Sequence, residues 1–460
     1  MVLAVVAPNR PEGLLWELAA ILAGGVAAPM NPAWGASAIA ERLEHAGAGW
    51  VASEAAWPGR RWLPLAEPAI QERLIWAREL PEACWAEVPD SAPALLLYTS
   101  GTTGRPKGVT LSHRNVLHQL DAFALALAMG PRDRVVSHLP WSHAFGAVVE
   151  RLLPLHHGAE LVVSAGGKDV ERLARDLARV RPTALFAVPA THRALLDHVE
   201  AQPALAAAVF HPGWRFAFTA AAPLSGAVAA RYAARGVPVM TGWGMTELSP
   251  SATVAAWGQP FEPGVVGAPM AGVTVAIAPD GELLVRGPNV MAGYWRDPAA
   301  TAAVLDADGW LHTGDLGEWA PGGVRLLGRK DARFKLANGR WVHGDTLAEA
   351  LFGAGPFGHA LVGGHGEDAP WVMLFPSAAQ AGLAPGRLDA AARALVTAAN
   401  ASHGVPYERI ARYAVAPGPL SLSAGELTAS GKLVRRVVLE RHAGALTFRP
   451  VVGPLEVASC

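Results

Sequence analysis

The chain has 460 residues, 51% of them hydrophobic, and its 38 Lys and Arg against 39 Asp and Glu leave a net charge of −1. That length exceeds one ordinary compact domain and suggests two or three, with volume for a sizeable core. So balanced a charge supplies no overall field to draw in a polyanion, and no nucleic-acid partner is expected. No apolar run reaches the ~20 residues of a spanning helix, since the best candidate, 14–30, holds Glu17, Gly24 and Gly25; no transmembrane segment is expected. The opening MVLAVVAPNRPE has no basic residues ahead of its apolar stretch and reads as a strand, not as a secretory signal. Cys84 and Cys460 offer neither metal-ligand spacing nor a disulfide framework, which fits a reducing cytoplasm.

From the start, strand-like runs at 3–6, 26–28 and 50–52 alternate with helical patterns at 14–23 and 39–45, an order that implies parallel βαβ units. Gly24 and Gly25 fall where the first helix should be capped, and Asn31-Pro32 marks the next turn. Residues 54–93 have no clear period and read as irregular surface structure with a helix or two. Residues 98–108, YTSGTTGRPKG, then follow the apolar run 95–97 and precede a helical pattern opening at Ser112. Gly101, Gly104 and Gly108 free the backbone to expose its N–H groups, Thr99, Ser100, Thr102 and Thr103 add hydroxyls, and Lys107 adds a positive charge. Together they make a loop for a polyanion. It is not the P-loop of NTPases, because Pro106 stands where a Gly should precede the lysine and Gly108 where a Ser or Thr would hold Mg²⁺.

Beyond the loop, Val116, Leu120, Phe123 and Leu127 form a helical stripe. Strand patterns at 134–137, 160–164, 184–188, 215–219 and 237–240, separated by helices, predict a doubly wound sheet with ligands at the carboxyl ends of its strands. Residues 219–223 and 241–247 stand at such ends. From 264 to 327 short strands with Gly and Pro turns predict an antiparallel β subdomain. A polar break at 328–331 then leads to strands at 360–362 and 371–375 and a helix at 388–399. The fold class is α/β: a large N-terminal region (1–328) of doubly wound βαβ sheets plus the β subdomain, and a small C-terminal α/β domain (332–460).

The loop YTSGTTGRPKG, with TGWGMTE (241–247), HTGD (312–315), GR (328–329) and LTASGK (427–432), resembles the signatures of the adenylate-forming superfamily of acyl-CoA synthetases, nonribosomal-peptide adenylation domains and beetle luciferases. The resemblance implies ATP, Mg²⁺ and CoA as co-substrate. It assigns the phosphates to Thr99, Ser100, Gly101, Thr102, Thr103, Gly104 and Lys107, and the rest of the nucleotide to Ala222, Pro223, Trp243, Gly244 and Thr246. Trp243 replaces the usual Tyr as a flat face for adenine. Thr246 offers its hydroxyl to the α-phosphate, and Glu247, with Thr99, is a hard oxygen ligand for Mg²⁺; read alone, the Thr-Glu pair is a helix start with the Glu serving the dipole. Asp315 would accept from both ribose hydroxyls with Arg329 assisting, although an Asp and an Arg so spaced equally make a surface ion pair.

Asp331 matches the hinge about which the small, mobile domain turns between adenylating and thioester-forming poses. Lys432 matches the lysine that bridges acyl carboxylate and α-phosphate, where a preorganised cation is worth ~2.7–4 kcal/mol. The neighbouring Arg435 and Arg436 either bind phosphates or stay solvated. For the acyl pocket the resemblance names His143, Gly146, Ala220, Ala221 and Gly242. Amino-acid-activating members generally place an Asp at the position of Gly146, so an amino acid substrate is not expected. Ala220 and Ala221 replace a frequent Gly-Gly.

The segment KLANG (335–339) is similar to both long-chain fatty acyl-CoA and feruloyl-type aryl-CoA synthetases. Phe334-Lys335 and Trp341-Val342 lean to the aryl group; Leu427-Thr428 with Lys432, Arg435 and Arg436 leans to the fatty group. The expectation is a cytoplasmic AMP-forming fatty acid:CoA ligase. The alternatives are an aryl (hydroxycinnamate-type) CoA ligase, an acyl-AMP ligase serving a carrier protein, and a non-catalytic nucleotide-binding homologue. About fifty residues that commonly precede the first motif in the family are absent, and an exposed lobe edge, or a homodimer or other partner covering it, is expected.

Overall fold

The apolar alternation of the first fifty residues folds as β1 (Val2–Val6), helix Pro11–Leu22, β2 (Val26–Met30), helix Ala36–Ala46 and β3 (Trp50–Ser53) in a computed structural model. The structure describes residues 1–65, 86–100, 106–164, 169–351, 356–402, 404–421, 424–427 and 433–451. Both cysteines lie outside that set. Strands β1 and β2 are buried along their whole length, as expected of a parallel sheet covered on both faces. A strand that sequence reading missed, β4 (Arg61–Pro64), pairs parallel to β3. It buries Leu63 and leaves Trp62 exposed, the pattern of an edge strand, where Pro64 is tolerated.

β5 (Pro93–Ser100) and β6 (Pro106–Ser112) are antiparallel, with Thr99 opposite Lys107 and Tyr98 opposite Gly108. The two ends of the loop read from sequence at 98–108, residues 98–100 and 106–108, are therefore strand, the second continuing into Val109, Thr110 and Leu111, which bury their side chains in the sheet. The order of this seven-stranded sheet is β4-β3-β1-β2-β5-β6, closed at the β6 edge by Gly293–Tyr294. Ser112 ends β6 and starts helix His113–Leu127 through a capping box: its Oγ accepts from Asn115 N at 3.2 Å, and Asn115 Oδ1 accepts from Ser112 N at 2.8 Å. This reciprocal pair satisfies two backbone donors at the helix start.

The second sheet holds β7 (Arg134–Ser137), β8 (Glu160–Val163), β9 (Ala184–Ala187), β10 (Phe216–Thr219) and β11 (Val239–Trp243), all parallel, followed by the antiparallel β12 (Thr253–Val254) and β13 (Ala268–Pro269). The order is β8-β7-β9-β10-β11-β12-β13. Two sheets thus carry the βαβ pattern read from the sequence, each with antiparallel strands added at one edge. β11 extends to Trp243 because Gly242 and Trp243 pair with Val254 and Thr253, so the start of the TGWGMTE motif is strand. A third sheet contains Thr274–Ile277, Glu282–Arg286, Leu311–Ala320 and Gly323–Arg329; the long strand Leu311–Ala320 carries the HTGD motif and was not foreseen as a strand.

By its contacts the chain divides into one unit of residues 1–313 and 318–325 and another of 314–317 and 326–460. In the larger unit, helix Pro11–Leu22 and the π-helical stretch Phe145–Leu152 are joined by a buried fork, Arg151 Nη1 and Nη2 each donating to a Glu17 carboxylate oxygen at 2.8 Å. The smaller unit has its own core around Phe334, Val342, Val372, Leu374, Val396 and Tyr413. No helix among the described residues is long and apolar enough to cross a membrane.

Candidate active site

Strand pairing puts Lys107 on β6, and the edge strand Gly293–Tyr294 lies directly alongside, with Tyr294 opposite Val109. The Lys107 ammonium sits 4.9 Å from the centre of the Tyr294 ring. The Tyr294 hydroxyl donates to Glu247 Oε1 at 2.8 Å. One phenol therefore stands between the cation of the polyanion loop and the carboxylate of the TGWGMTE motif. Glu247 is only 6% exposed and lies on the turn Thr246–Leu248, which is fastened by Met291 N donating to Glu247 O at 2.9 Å. Tyr294 was missed from sequence. The available signal was Gly293, whose φ of +139° suits glycine and turns the strand so that the next ring reaches the carboxylate.

A hydrogen bond to an ionised carboxylate contributes about 1.5–3 kcal/mol. Tyr294→Phe keeps the ring and loses the hydroxyl. If Glu247 works in adenylation, that change should slow acid-dependent ATP–pyrophosphate exchange roughly tenfold, about 1.4 kcal/mol; unchanged exchange would disconnect the hydroxyl from the chemistry. Glu247 keeps acceptor capacity beyond the bond from Tyr294, and with the hydroxyls of Thr99 on β5 and of its chain neighbour Thr246 it could form an all-oxygen set of the kind a hard cation prefers.

The motif's second glycine has a steric cause: a Cβ on Gly244 would lie 2.1 Å from Pro250 O. Gly242 is equally confined, its Cβ position lying 2.9 Å from both the Phe218 ring and Thr253 O. Thr219 of β10 is opposite Thr241 of β11, which brings residues 220–223 beside Gly242 and the buried Trp243. The two carboxyl ends picked out from sequence are thus neighbours. Ala221 takes φ +73°, a left-handed conformation costing a residue with a Cβ about 1–2 kcal/mol. That supplies a physical reason for glycine at this place in the family, and Ala222 and Pro223 follow it as exposed residues.

His143 and Gly146 sit where β7 leads through residues 138–144 into the π-helical stretch. Glu150, fully buried, holds that passage: Ser137 Oγ donates to its Oε2 at 2.6 Å, His138 N to its Oε1 at 2.9 Å, and Leu139 N lies 3.1 and 3.0 Å from the two oxygens. Burial pushes the Glu150 carboxyl up to about 8, opposed by these donors, and pulls buried His138 down to about 4. Asn9 clamps the other side, donating to Leu139 O at 2.7 Å and accepting from Trp141 N at 3.1 Å. A Cβ on Gly146 would lie 2.3 Å from Pro140 O. No side chain enters there without moving backbone, which strengthens the reading against a pairing carboxylate at 146. Gly146→Ala is expected to destabilise the protein by ~1–3 kcal/mol through overpacking, measured by urea unfolding; a neutral result would show that the passage yields easily.

In the smaller unit Arg329 Nη1 donates to Asp315 Oδ1 at 2.9 Å, and its Nε lies 3.5 Å from Asp331. Thr346 Oγ1 donates to Leu327 O at 2.9 Å, and burial raises the carboxyl of the neighbouring Asp345. Arg435, offered from sequence as a phosphate binder or a solvated charge, is half-buried and donates to Val362 O at 2.7 Å. Arg436 is exposed and paired with Glu440 at 2.7 Å. Gly101, Thr102, Thr103, Gly104 and Lys432 lie outside the described residues, as does the side chain of Ser100.

Comparison with known proteins bears on what this arrangement serves. The family model for "AMP-binding enzyme" matches residues 2–295. Long-chain-fatty-acid–CoA ligase 1 of Homo sapiens is 32% identical over 328 residues, covering 60% of this chain and 46% of that protein. The chain therefore spans less than half the length of that relative. ATP-bound MatB from Rhodopseudomonas palustris shares the fold with a TM-score of 0.77 at 23% identity, over 95% of this chain and 88% of that one. A malonyl-CoA ligase in ternary product complex with methylmalonyl-CoA and AMP is 30% identical with a TM-score of 0.62, over 91% of this chain and 90% of the other.

Proposed function

The chain belongs to the AMP-binding enzyme family, and from that premise we propose that it is an AMP-forming acid:CoA ligase acting on fatty acids. The observation that carries the reading is the linked set of Lys107, Tyr294 and Glu247, which puts a cation over the face of one ring and a buried carboxylate at its hydroxyl. In the first step an oxygen of the substrate carboxylate attacks the α-phosphorus of ATP, forming acyl-AMP as the bond to pyrophosphate breaks. Lys107 and the loop hold the departing phosphates, Thr246 holds an α-phosphate oxygen, and Lys432 spans the two reacting groups. Mg²⁺, held by Glu247 and Thr99, would supply charge neutralisation for the triphosphate. In the second step the CoA thiol sulfur attacks the acyl carbonyl and AMP leaves with the bonding electrons. The energy is carried by the mixed anhydride, so positioning supplies much of the rate.

Asp315 and Arg329 are proposed to hold the ribose, and Asp331 to act as the pivot between the two steps. The fatty acid class is favoured by the similarity to a long-chain-fatty-acid–CoA ligase and by the absence of a charged side chain at position 146. The test is ATP–pyrophosphate exchange across fatty, cinnamic and benzoic acids, followed by CoA thioester formation. Exchange and thioester with fatty acids support the proposal. Exchange driven only by aryl acids moves the substrate to that class, exchange without CoA consumption points to a carrier-protein acceptor, and no exchange with any acid overturns ligase activity.

A further inference from the structure

Far along helix His113–Leu127 from its capped start, the carboxylate of Asp121 faces two adjacent imidazoles that no part of the proposed reaction uses. His156 Nε2 lies 3.8 Å and His157 Nε2 3.9 Å from the same oxygen, Asp121 Oδ1. The three ligand atoms are all within 4.8 Å of one another. We propose that Asp121, His156 and His157 form a binding site for a divalent d-block cation of the zinc class, separate from the nucleotide's Mg²⁺.

Three features carry this. The first is geometric: ligand atoms of the three side chains already lie within 4.8 Å of one another, a spacing from which side-chain rotation can bring them to the Zn–N and Zn–O bond lengths of about 2.0–2.2 Å. The second is chemical: two neutral imidazoles and one carboxylate suit zinc, nickel or cobalt, whereas Mg²⁺ prefers oxygen ligands throughout. The third is electrostatic. His156 is the last residue of the helical run that begins in the π-helical stretch and continues through Leu153–His156. A cation there meets the negative end of the helix dipole.

The ligands come from two chain segments, so an ion would staple helix His113–Leu127 to helix Leu153–His156. One bond must be given up: His157 Nε2 also lies 3.2 Å from Leu120 O, and binding through Nε2 requires the ring to carry its proton on Nδ1 instead. Remaining coordination positions face solvent, since the Asp121 side chain is 71% and the His156 side chain 41% exposed.

The test titrates the chelator-treated full chain with zinc chloride alone against a chromophoric competitor, for wild type and for the triple variant Asp121→Asn, His156→Gln, His157→Gln. The wild type should bind one equivalent more than the variant, with at least tenfold tighter affinity for that equivalent. Zinc should raise the melting temperature of the wild type only, and excess Mg²⁺ should not displace it. Cobalt in place of zinc should give visible absorption bands that His156→Gln alone weakens. That single exposed substitution keeps the test available if the triple variant folds poorly. Identical isotherms for wild type and His156→Gln, or displacement by Mg²⁺, would overturn the site. None of these readouts depends on ligase activity, so the proposal stands or falls apart from the function assigned above.

Discussion

Glu247→Gln is expected to lower acid-dependent ATP–pyrophosphate exchange about a hundredfold or more, the scale of losing one preorganised electrostatic partner at ~2.7–4 kcal/mol, with little loss of fold stability. The change is isosteric, and the amide oxygen can still accept from the Tyr294 hydroxyl now 2.8 Å away. What vanishes is the negative charge. The carboxylate is almost fully buried, so water does not dilute its field, and its neighbour across the ring is a lysine. With glutamine, Lys107 loses a compensating charge and the divalent cation loses its ionised ligand. Raising Mg²⁺ should recover part of the rate in the variant and none in the wild type. A variant that exchanges at the wild-type rate under limiting Mg²⁺ would remove Glu247 from the reaction.

The largest effect on stability should come from Arg151→Met. Arg151 and Glu17 are both essentially buried and meet through two hydrogen bonds of 2.8 Å, while the guanidinium also lies 4.9 Å from the centre of the Trp141 ring. Removing the arginine strands a carboxylate in the interior, and breaking one side of such a pair typically costs 3–5 kcal/mol. Urea unfolding should report that loss. The double variant Arg151→Met with Glu17→Leu should regain most of it, because a well-packed apolar pair can match or exceed a buried ion pair. If the single variant loses less than about 1 kcal/mol, water reaches Glu17 and the fork is not the fastener described here.

Much of this was legible in the chain. Parallel strands such as β1, β2, β9 and β10 announce themselves because burial on both faces requires continuous apolar runs, and their helices carry the complementary period. The place of residues 241–247 was legible too, because they follow directly on an apolar parallel strand and so fall at its carboxyl end. Three features were not. β6 was hidden because Pro106 and Gly108 look like turn residues until β5 is placed against them. Tyr294 was hidden because its role arises from an edge pairing with a strand about 180 residues earlier, for which no local pattern exists. Arg151 and Glu17 are 134 residues apart, and each alone sits in an amphipathic stretch where a charge would ordinarily be assigned to solvent.

The hold of Glu150 on residues 137–139 has a practical consequence for anyone retuning what the protein accepts. The clasp and its captive belong to one continuous stretch of chain, with Asn9 bracing it from the bend after β1, so His143 and Gly146 cannot be repositioned by swapping a neighbouring side chain. If the acid site runs along Ala220 and Ala221, variants selected for a wider or longer acid should accumulate there, where small side chains leave room for exchange and Ala221 already bears backbone strain, while 137–150 remains untouched.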